Sequence, residues 1–434
     1  MLARGPSSER WSSSFGFIMA TIGSAVGIAN IWRFSSIAGQ SGGGAFLIPF
    51  FLAVVLFAFP LMLLEMGCGR RAHADVLTGF RQVAERFRVV GWFISLVIFA
   101  LTAVYLVITG WTLAYLVFSL IGEMVTFGSF SMTMIPLGTF LVSLLITAAV
   151  VALGVRSGIE NITTKLVPLS FVILAAMFIY SMTMDGFSQG IEYLFAADLG
   201  RLNDPDVWVA AFGQAFFSLA VGYGLIFTYA SYMREETDIP RSAVLITSAD
   251  VLVALISGII IFSTVFTFDL QPTAGAELAF STLPVAFDSM PFGYFMAIMF
   301  FFLLFTTALT SAVSMMEVNV ATMINNLDLP RRKATAYLSA GLLVLGTFSA
   351  LSYSALELRV FGENPLDFID HVFGTFGIAI AAMFSSLVFS WCIGRSDLER
   401  EVDHRTTRFV VLLTRYFVPF VLLVVILASA YGPL

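Results

Sequence analysis

The chain has 434 residues, 59% of them hydrophobic and 12% charged, with a formal net charge of −6. A soluble domain of that composition would lack the polar surface to stay in solution, which excludes a water-soluble α protein with a greasy core. The net charge says little about orientation, which in a bilayer follows Lys and Arg. The two cysteines, Cys68 and Cys392, imply no disulfide framework. The N-terminus does not read as a signal peptide, because its apolar run is too long, is broken by polar residues and lacks a small-residue cleavage site.

Runs of about 20 apolar residues, each enough to cross ~30 Å of hydrocarbon, recur eleven times. They are predicted near 12–38, 43–69, 90–121, 132–153, 163–184, 207–233, 242–269, 292–324, 333–352, 369–393 and 407–430. Backbone groups cannot go unpaired in lipid, so these are helices; the alternating ~10-residue segments of a barrel are absent. With the N-terminus inside, one set of loops holds Arg4, Arg10, Arg70, Arg71, Arg81, Arg86, Arg88, Arg156, Lys165, Arg234, Arg241, Arg331, Arg332, Lys333, Arg395, Arg400, Arg405 and Arg408. The other set holds only Arg201 and Arg359. That asymmetry predicts a multi-pass protein of the cell's inner (plasma) membrane, N-terminus cytoplasmic and C-terminus outside.

Enzyme signatures are missing. Neither lysine follows a glycine, so there is no Walker A loop, and none of His73, His371 and His404 opens an H-E-x-x-H pair. No Cys/His cluster could hold zinc. The chain is expected not to be an enzyme and not to bind nucleic acid.

The first run contains GSAVGIANIWRF, residues 23–34, and the sixth contains AFFSLAVGYGLIFTYASY, residues 215–232. Glycines interrupt both, and the two runs hold corresponding positions in two five-helix halves. Such glycines can serve close helix packing alone. Two matched breaks with polar neighbours point instead to the midplane site of an inverted-repeat transporter, where unwound carbonyls face a cation and half-helix N-termini face an anion.

ATIGSAVGIANIWRF, followed by SGGGAFLIPFFL and later FTYASY, resembles the neurotransmitter:sodium symporter family, from about Trp11 to at least Asp370. The resemblance implies an all-α integral membrane protein with the LeuT-type fold of the bacterial leucine transporter: two inverted five-helix repeats plus an eleventh helix. The implied division is a cytoplasmic N-terminus (1–11), a first repeat (12–184) unwound near 23–29, an extracellular loop (185–206), a second repeat (207–393) unwound near 219–224, and a cytoplasmic loop with the eleventh helix (394–434). The implied activity is sodium-coupled import of an amino acid by alternating access through the bilayer, with two sodium ions. A substrate-gated channel or a non-transporting sensor on the same fold is the alternative.

The resemblance also assigns sites. One sodium site would use the carbonyls of Gly23, Val26 and Thr307 with the hydroxyls of Thr310 and Ser311; Thr307 replaces a family alanine, but only its carbonyl serves. The other would use the Ala25 carbonyl, Asn30, Ser218, Asp250 and the substrate carboxylate. That carboxylate would also meet the Tyr105 hydroxyl and backbone N–H groups near Gly27 and Ala29, with Ser24 alongside. Leu101, Phe217, Ala220, Tyr223, Ser311 and Met315 would wall the side-chain pocket. Gly27, where monoamine carriers place aspartate, favours an amino acid, and Ala29 in place of glycine favours a small or medium neutral one. An acid buried in hydrocarbon demands a partner, and Asp250 at a sodium-ligand position would make chloride unnecessary.

Gates follow in the same way. Arg33 would face Asp370, with Asp367 as runner-up, above the aromatic lid Phe217 and beside Gln214. The inner ion pair of the family is missing, since Ser8 and Asn325 stand at its positions; a pair between Arg10 and Asp328, or packing of Trp11 on Tyr232, would replace it. Glu65 would support the unwound backbone. Gly158 and Pro168, spaced Gly-x9-Pro, would let the fifth helix unwind.

Overall fold

The computed structural model describes residues 9–123, 125–196, 198–270, 278–392, 395–402 and 404–431. Ser8 lies outside them. The spans are α1 (Ser14–Ala25 and Ala29–Gln40), α2 (Gly44–Ala72), α3 (Glu85–Ile121), α4 (Ile135–Ala152), α5 (Val155–Ser181), α6 (Pro205–Ser218 and Leu225–Ser231), α7 (Ile239–Thr267), α8 (Gly293–Leu327), α9 (Arg331–Ala350), α10 (Pro365–Cys392) and α11 (Thr406–Ala430). Among the described residues, eight are long and apolar enough to cross a membrane, nine with the two pieces of α1, which meet at 53°. The divided α6 and α9, which is less apolar and opens on Arg331, Arg332 and Lys333, complete the expected eleven.

Local chemistry starts and stops these helices. Ser13 accepts from the Gly16 N–H and caps α1, Asp204 precedes Pro205 at the start of α6, and Asp238 accepts from the Arg241 N–H ahead of α7. The break in α1 is narrower than expected: α-helix runs through Ala25, and a wide π turn, Ala29–Arg33, resumes directly after Ile28. In α6 the interruption covers 219–224, with Ala220, Gly222 and Gly224 all at positive φ.

α5 begins at Val155, eight residues before the expected boundary. Its polar opening, VRSGIE, forms a π turn whose Glu160 is spent on the N-terminal strand, so polarity there marks a docking surface and not a loop. The expected 185–206 loop contains a helix, Phe187–Phe195. Val76–Val83 follows α2, and the turn Leu278–Thr282 leads into Leu283–Ser289 ahead of α8.

Burial orders the bundle. The most apolar stretch of α8 is 78% buried and that of α3 72%, against 22% for α11. α3 and α8 therefore form the interior beside the broken helices, and α11 lies outside.

The SGGGAF motif acquires a reason from packing. Gly43 has φ +71, and a Cβ on it would stand 2.1 Å from the Tyr193 carbonyl oxygen of the loop helix; one on Gly44 would stand 2.6 Å from that of Ala196. Gly43→Ala is expected to destabilise the protein by about 1–3 kcal/mol from backbone strain and overpacking, read as a lower thermal midpoint in detergent. An unchanged midpoint would show that the loop helix yields freely.

Candidate substrate and cation site

The break in α1 releases backbone groups that a continuous helix would consume. Gly27 N–H donates to Asn30 Oδ1 at 3.0 Å and Asn30 N–H to the Gly27 carbonyl at 3.2 Å, so neither returns to Gly23 or Val26. The Ile28 N–H faces the Tyr105 hydroxyl instead of Ser24. Carbonyls at the end of the first half-helix are thereby free for another partner.

α8 supplies hydroxyls to them. Ser311 Oγ lies 3.4 Å from the Gly23 oxygen and 3.2 Å from that of Ser24, while bonding back to Thr307 at 3.1 Å. Thr310 Oγ1 bonds back to Thr306 and Thr307, and a Cβ on Gly23 would stand 3.2 Å from Thr310 Cβ. Gly23, Val26, Thr307 and Thr310 line one cleft with Val167 of α5, which would lie 2.9 Å from that same Cβ.

The second cluster joins α1, α6 and α7. Asn30 Nδ2 donates to Ser218 Oγ at 2.8 Å and to Asp250 Oδ1 at 2.6 Å; Ser218 Oγ donates to the Asp250 carboxylate at 2.9–3.0 Å. All three side chains are buried. The Asn30 oxygen accepts the Gly27 N–H, which leaves one lone pair of that oxygen for an ion. Ala25 closes the first half-helix next to this cluster.

Between the clusters stand Gly27, Tyr105 and Ser311. A Cβ on Gly27 would lie 2.7 Å from the Tyr105 hydroxyl and 2.9 Å from Ser311 Oγ, so any side chain there would have to displace both. Tyr223 lies near Tyr105, Glu65 and Asp250, and Ala220, Tyr223, Leu101, Ala29 and Met315 are all buried. Ser24 bonds Ser314 at 2.8 Å. Glu65 Oε2 accepts from the Gly222 N–H at 2.9 Å, and Ser385 donates to the Gly222 carbonyl at 3.0 Å, so side chains supply what unwound α6 lacks.

On one side of the site, Arg33 donates to Gln214 at 2.7 Å and its guanidinium lies 5.0 Å from the Phe217 ring centre. Gln214 also donates to the Ala29 carbonyl at 2.9 Å. Asp370 lies within electrostatic range of Arg33 and beside Leu101, whereas Asp367 is held by Tyr353 and Asn364. Phe280 of the turn before α8 packs on Trp32 at 5.8 Å and Trp111 at 6.0 Å, an aromatic cover that no helical period in the sequence announced.

On the N-terminal side, Trp11 is buried; its backbone N–H donates to Tyr232 and its indole N–H to Tyr229. Trp11 and Tyr232 rings stand 6.2 Å apart. The expected pair of Arg10 with Asp328 does not form. Arg331 instead forks onto two carboxylates, Glu9 at 2.9 Å and Glu317 at 2.6 Å, and Tyr232 donates to Glu317 at 2.7 Å. Asn325 is engaged with Asp75 at 3.0 Å. Sequence reasoning passed over Glu317, although an acid inside the apolar run AVSMMEVNVATM was itself a signal that a cation must meet it. Gly158 lies in the opening π turn of α5, where a Cβ would meet the Val150 carbonyl at 1.9 Å, and Pro168 interrupts the helix ladder farther along.

The sequence pattern of the Sodium:neurotransmitter symporter family matches residues 8–127 and 124–432. YhdH of Bacillus subtilis, named a sodium-dependent transporter, is 34% identical over 96% of this chain and 97% of its own. MJ1319 of Methanocaldococcus jannaschii, also named a sodium-dependent transporter, is 31% identical over 91% of this chain and 84% of its own. The crystal structure of MhsT in complex with L-phenylalanine superposes with a TM-score of 0.89 at 35% identity, covering 97% of this chain and 99% of that one. With the released carbonyls, facing hydroxyls and two broken spans, these matches place the chain in the Sodium:neurotransmitter symporter family, as a sodium-coupled membrane transporter of the LeuT-type fold with two inverted five-helix repeats and an eleventh helix, and not an enzyme.

Proposed function

We propose that this protein imports a neutral amino acid with two sodium ions by alternating access, without chloride, and with its N-terminus in the cytoplasm. The observation that carries the reading is the buried cluster of Asn30, Ser218 and Asp250 at the point where both broken spans meet. Binding of L-phenylalanine by MhsT supports an amino acid as cargo.

Sodium at the first site takes the Ala25 carbonyl, Asn30, Ser218, Asp250 and the substrate carboxylate. The carboxylate also meets Tyr105 and the N–H groups near Gly27 and Ala29, where the second half-helix points its positive end. The second ion takes Gly23, Val26, Thr307, Thr310 and Ser311. Five oxygens without a permanent charge suit a small cation that must be released again. Leu101, Phe217, Ala220, Tyr223, Ser311 and Met315 surround the side chain, with Ser24 alongside. Closure over this site joins Arg33 to Asp370 above Phe217, with Gln214 holding the guanidinium in place.

Replacing Thr310 and Ser311 together by alanine removes two ligand oxygens and keeps helix propensity. The sodium half-saturation for substrate binding should rise at least about tenfold, which is ~1.4 kcal/mol. Unchanged sodium dependence would sink the second site.

Asp250 brings its own negative charge to the ion. Opposite charges ~4 Å apart attract by about 4 kcal/mol at an effective dielectric near 20, the compensation that an added anion would otherwise supply. In liposomes with an inward sodium gradient, wild type should concentrate a neutral amino acid equally in chloride and in gluconate. A channel or sensor cannot accumulate substrate against its gradient. Asp250→Ser should transport weakly, with partial recovery in chloride; a wild-type requirement for chloride, or normal mutant uptake in gluconate, refutes the assignment.

α5 is proposed to unwind between Gly158 and Pro168 as the protein opens inward, since glycine lowers the cost of leaving the helix and proline withdraws a donor. Val167 packs on Gly23, so unwinding uncovers the second ion site. Hydrogen exchange across 158–168 should increase in inward-open conditions, and equal protection in both states would count against it.

A further inference from the structure

Residues 9–12 run across the N-terminal face and are tied at both ends. Glu9 Oε1 and Oε2 each accept from Arg331, through Nε and Nη2, at 2.9 Å. Glu9 Oε2 also accepts the N–H of Val155, the first residue of α5, at 2.8 Å. Gly154, at φ +90, leaves room for this approach: a Cβ there would stand 3.0 Å from Glu9 Oε1. Ser12 donates its backbone N–H to Glu160 Oε2 at 2.8 Å and its hydroxyl to Oε1. Gly16 makes space for that carboxylate, since its Cβ would lie 1.7 Å from Glu160 Oε1. Between these ties Trp11 is held by Tyr229 and Tyr232 of α6.

We propose that Glu9 and Arg331 form an inner lock in which the N-terminal strand supplies the anion, and that Glu9 couples withdrawal of Trp11 to loosening of the first turn of α5. The proposal rests on sodium-coupled transport by this chain and not on any ligand assigned above, so the two can fail separately.

The lock has a weak and a strong side. Glu317 is fully buried, and parting it from Arg331 would leave an uncompensated charge in a dry interior. The Glu9 side chain is 37% exposed, and water can replace its partners. Opening therefore occurs at Glu9, while Arg331 stays forked on Glu317 with Tyr232 beside it. When Glu9 leaves, the Val155 N–H loses its acceptor at the same moment. A helix N-terminus without its cap frays, and the segment that carries Trp11 then keeps only the ties of Ser12 and the bonds of Trp11 to Tyr229 and Tyr232. The plug and the first turn of α5, Val155–Glu160, thus move together.

The test is hydrogen exchange on the full chain in nanodiscs, read on peptides covering 9–16 and 155–160, for wild type, Glu9→Gln and Glu9→Asp. Charge-assisted hydrogen bonds predict that Glu9→Gln speeds exchange by about tenfold or more in both segments together. Glu9→Asp keeps the carboxylate and should restore most of the protection in both. Faster exchange at 9–16 with 155–160 unchanged would overturn the coupling. No change in either segment, or an Asp variant no better than Gln, would overturn the lock itself. Glu9 sits on a terminal strand, so neither variant threatens folding.

Discussion

Backbone polar groups cannot be left unpaired inside a membrane, and every feature of the site follows from that constraint. Opening α1 at Val26 and Gly27 frees carbonyls, which are useful only if the matching N–H groups find other acceptors. Asn30 takes the Gly27 N–H, and the Tyr105 hydroxyl faces that of Ile28. In α6 the same accounting falls to Glu65 and Ser385, which serve the two sides of the Gly222 peptide. The side chains that hold the breaks open are therefore as much part of the site as those that line it.

The same constraint shapes the opposite ends of the path. Around Arg33 the guanidinium is shared between an amide, an aromatic face and the field of Asp370, a set of weak contacts that can be rearranged. Near the N-terminus, Arg331 meets two carboxylates in forked geometry, and Trp11 packs against Phe17, Tyr229 and Tyr232. The Arg331–Glu317 pair is desolvated, whereas Glu9 on the same guanidinium and the Arg33–Gln214 contact are partly exposed.

The length of the apolar runs, the distribution of arginines between them and the interrupting glycines determined the eleven spans and the positions of the two breaks. Those signals are local: lipid demands about 20 apolar residues per crossing, and glycine beside polar residues interrupts the ladder wherever it falls. Motifs such as GSAVGIANIWRF and FTYASY carried the family, and with it most of the residues that the structure brings around Tyr105 and Asp250.

Tertiary structure decided what depends on partners distant in the chain. Glu317 demanded a cation, but nothing local said that Arg331, across a turn, would supply it, or that Glu9 would share it. Polar VRSGIE looked like a loop because its reason for being helical, the docking of Ser12 on Glu160, lies 148 residues away. Phe280 became part of the aromatic cover only through contacts with Trp32 and Trp111. Local chemistry determined where the chain crosses and breaks; which charges meet was decided by packing, because an ion pair is set by distance in space and not by distance in sequence.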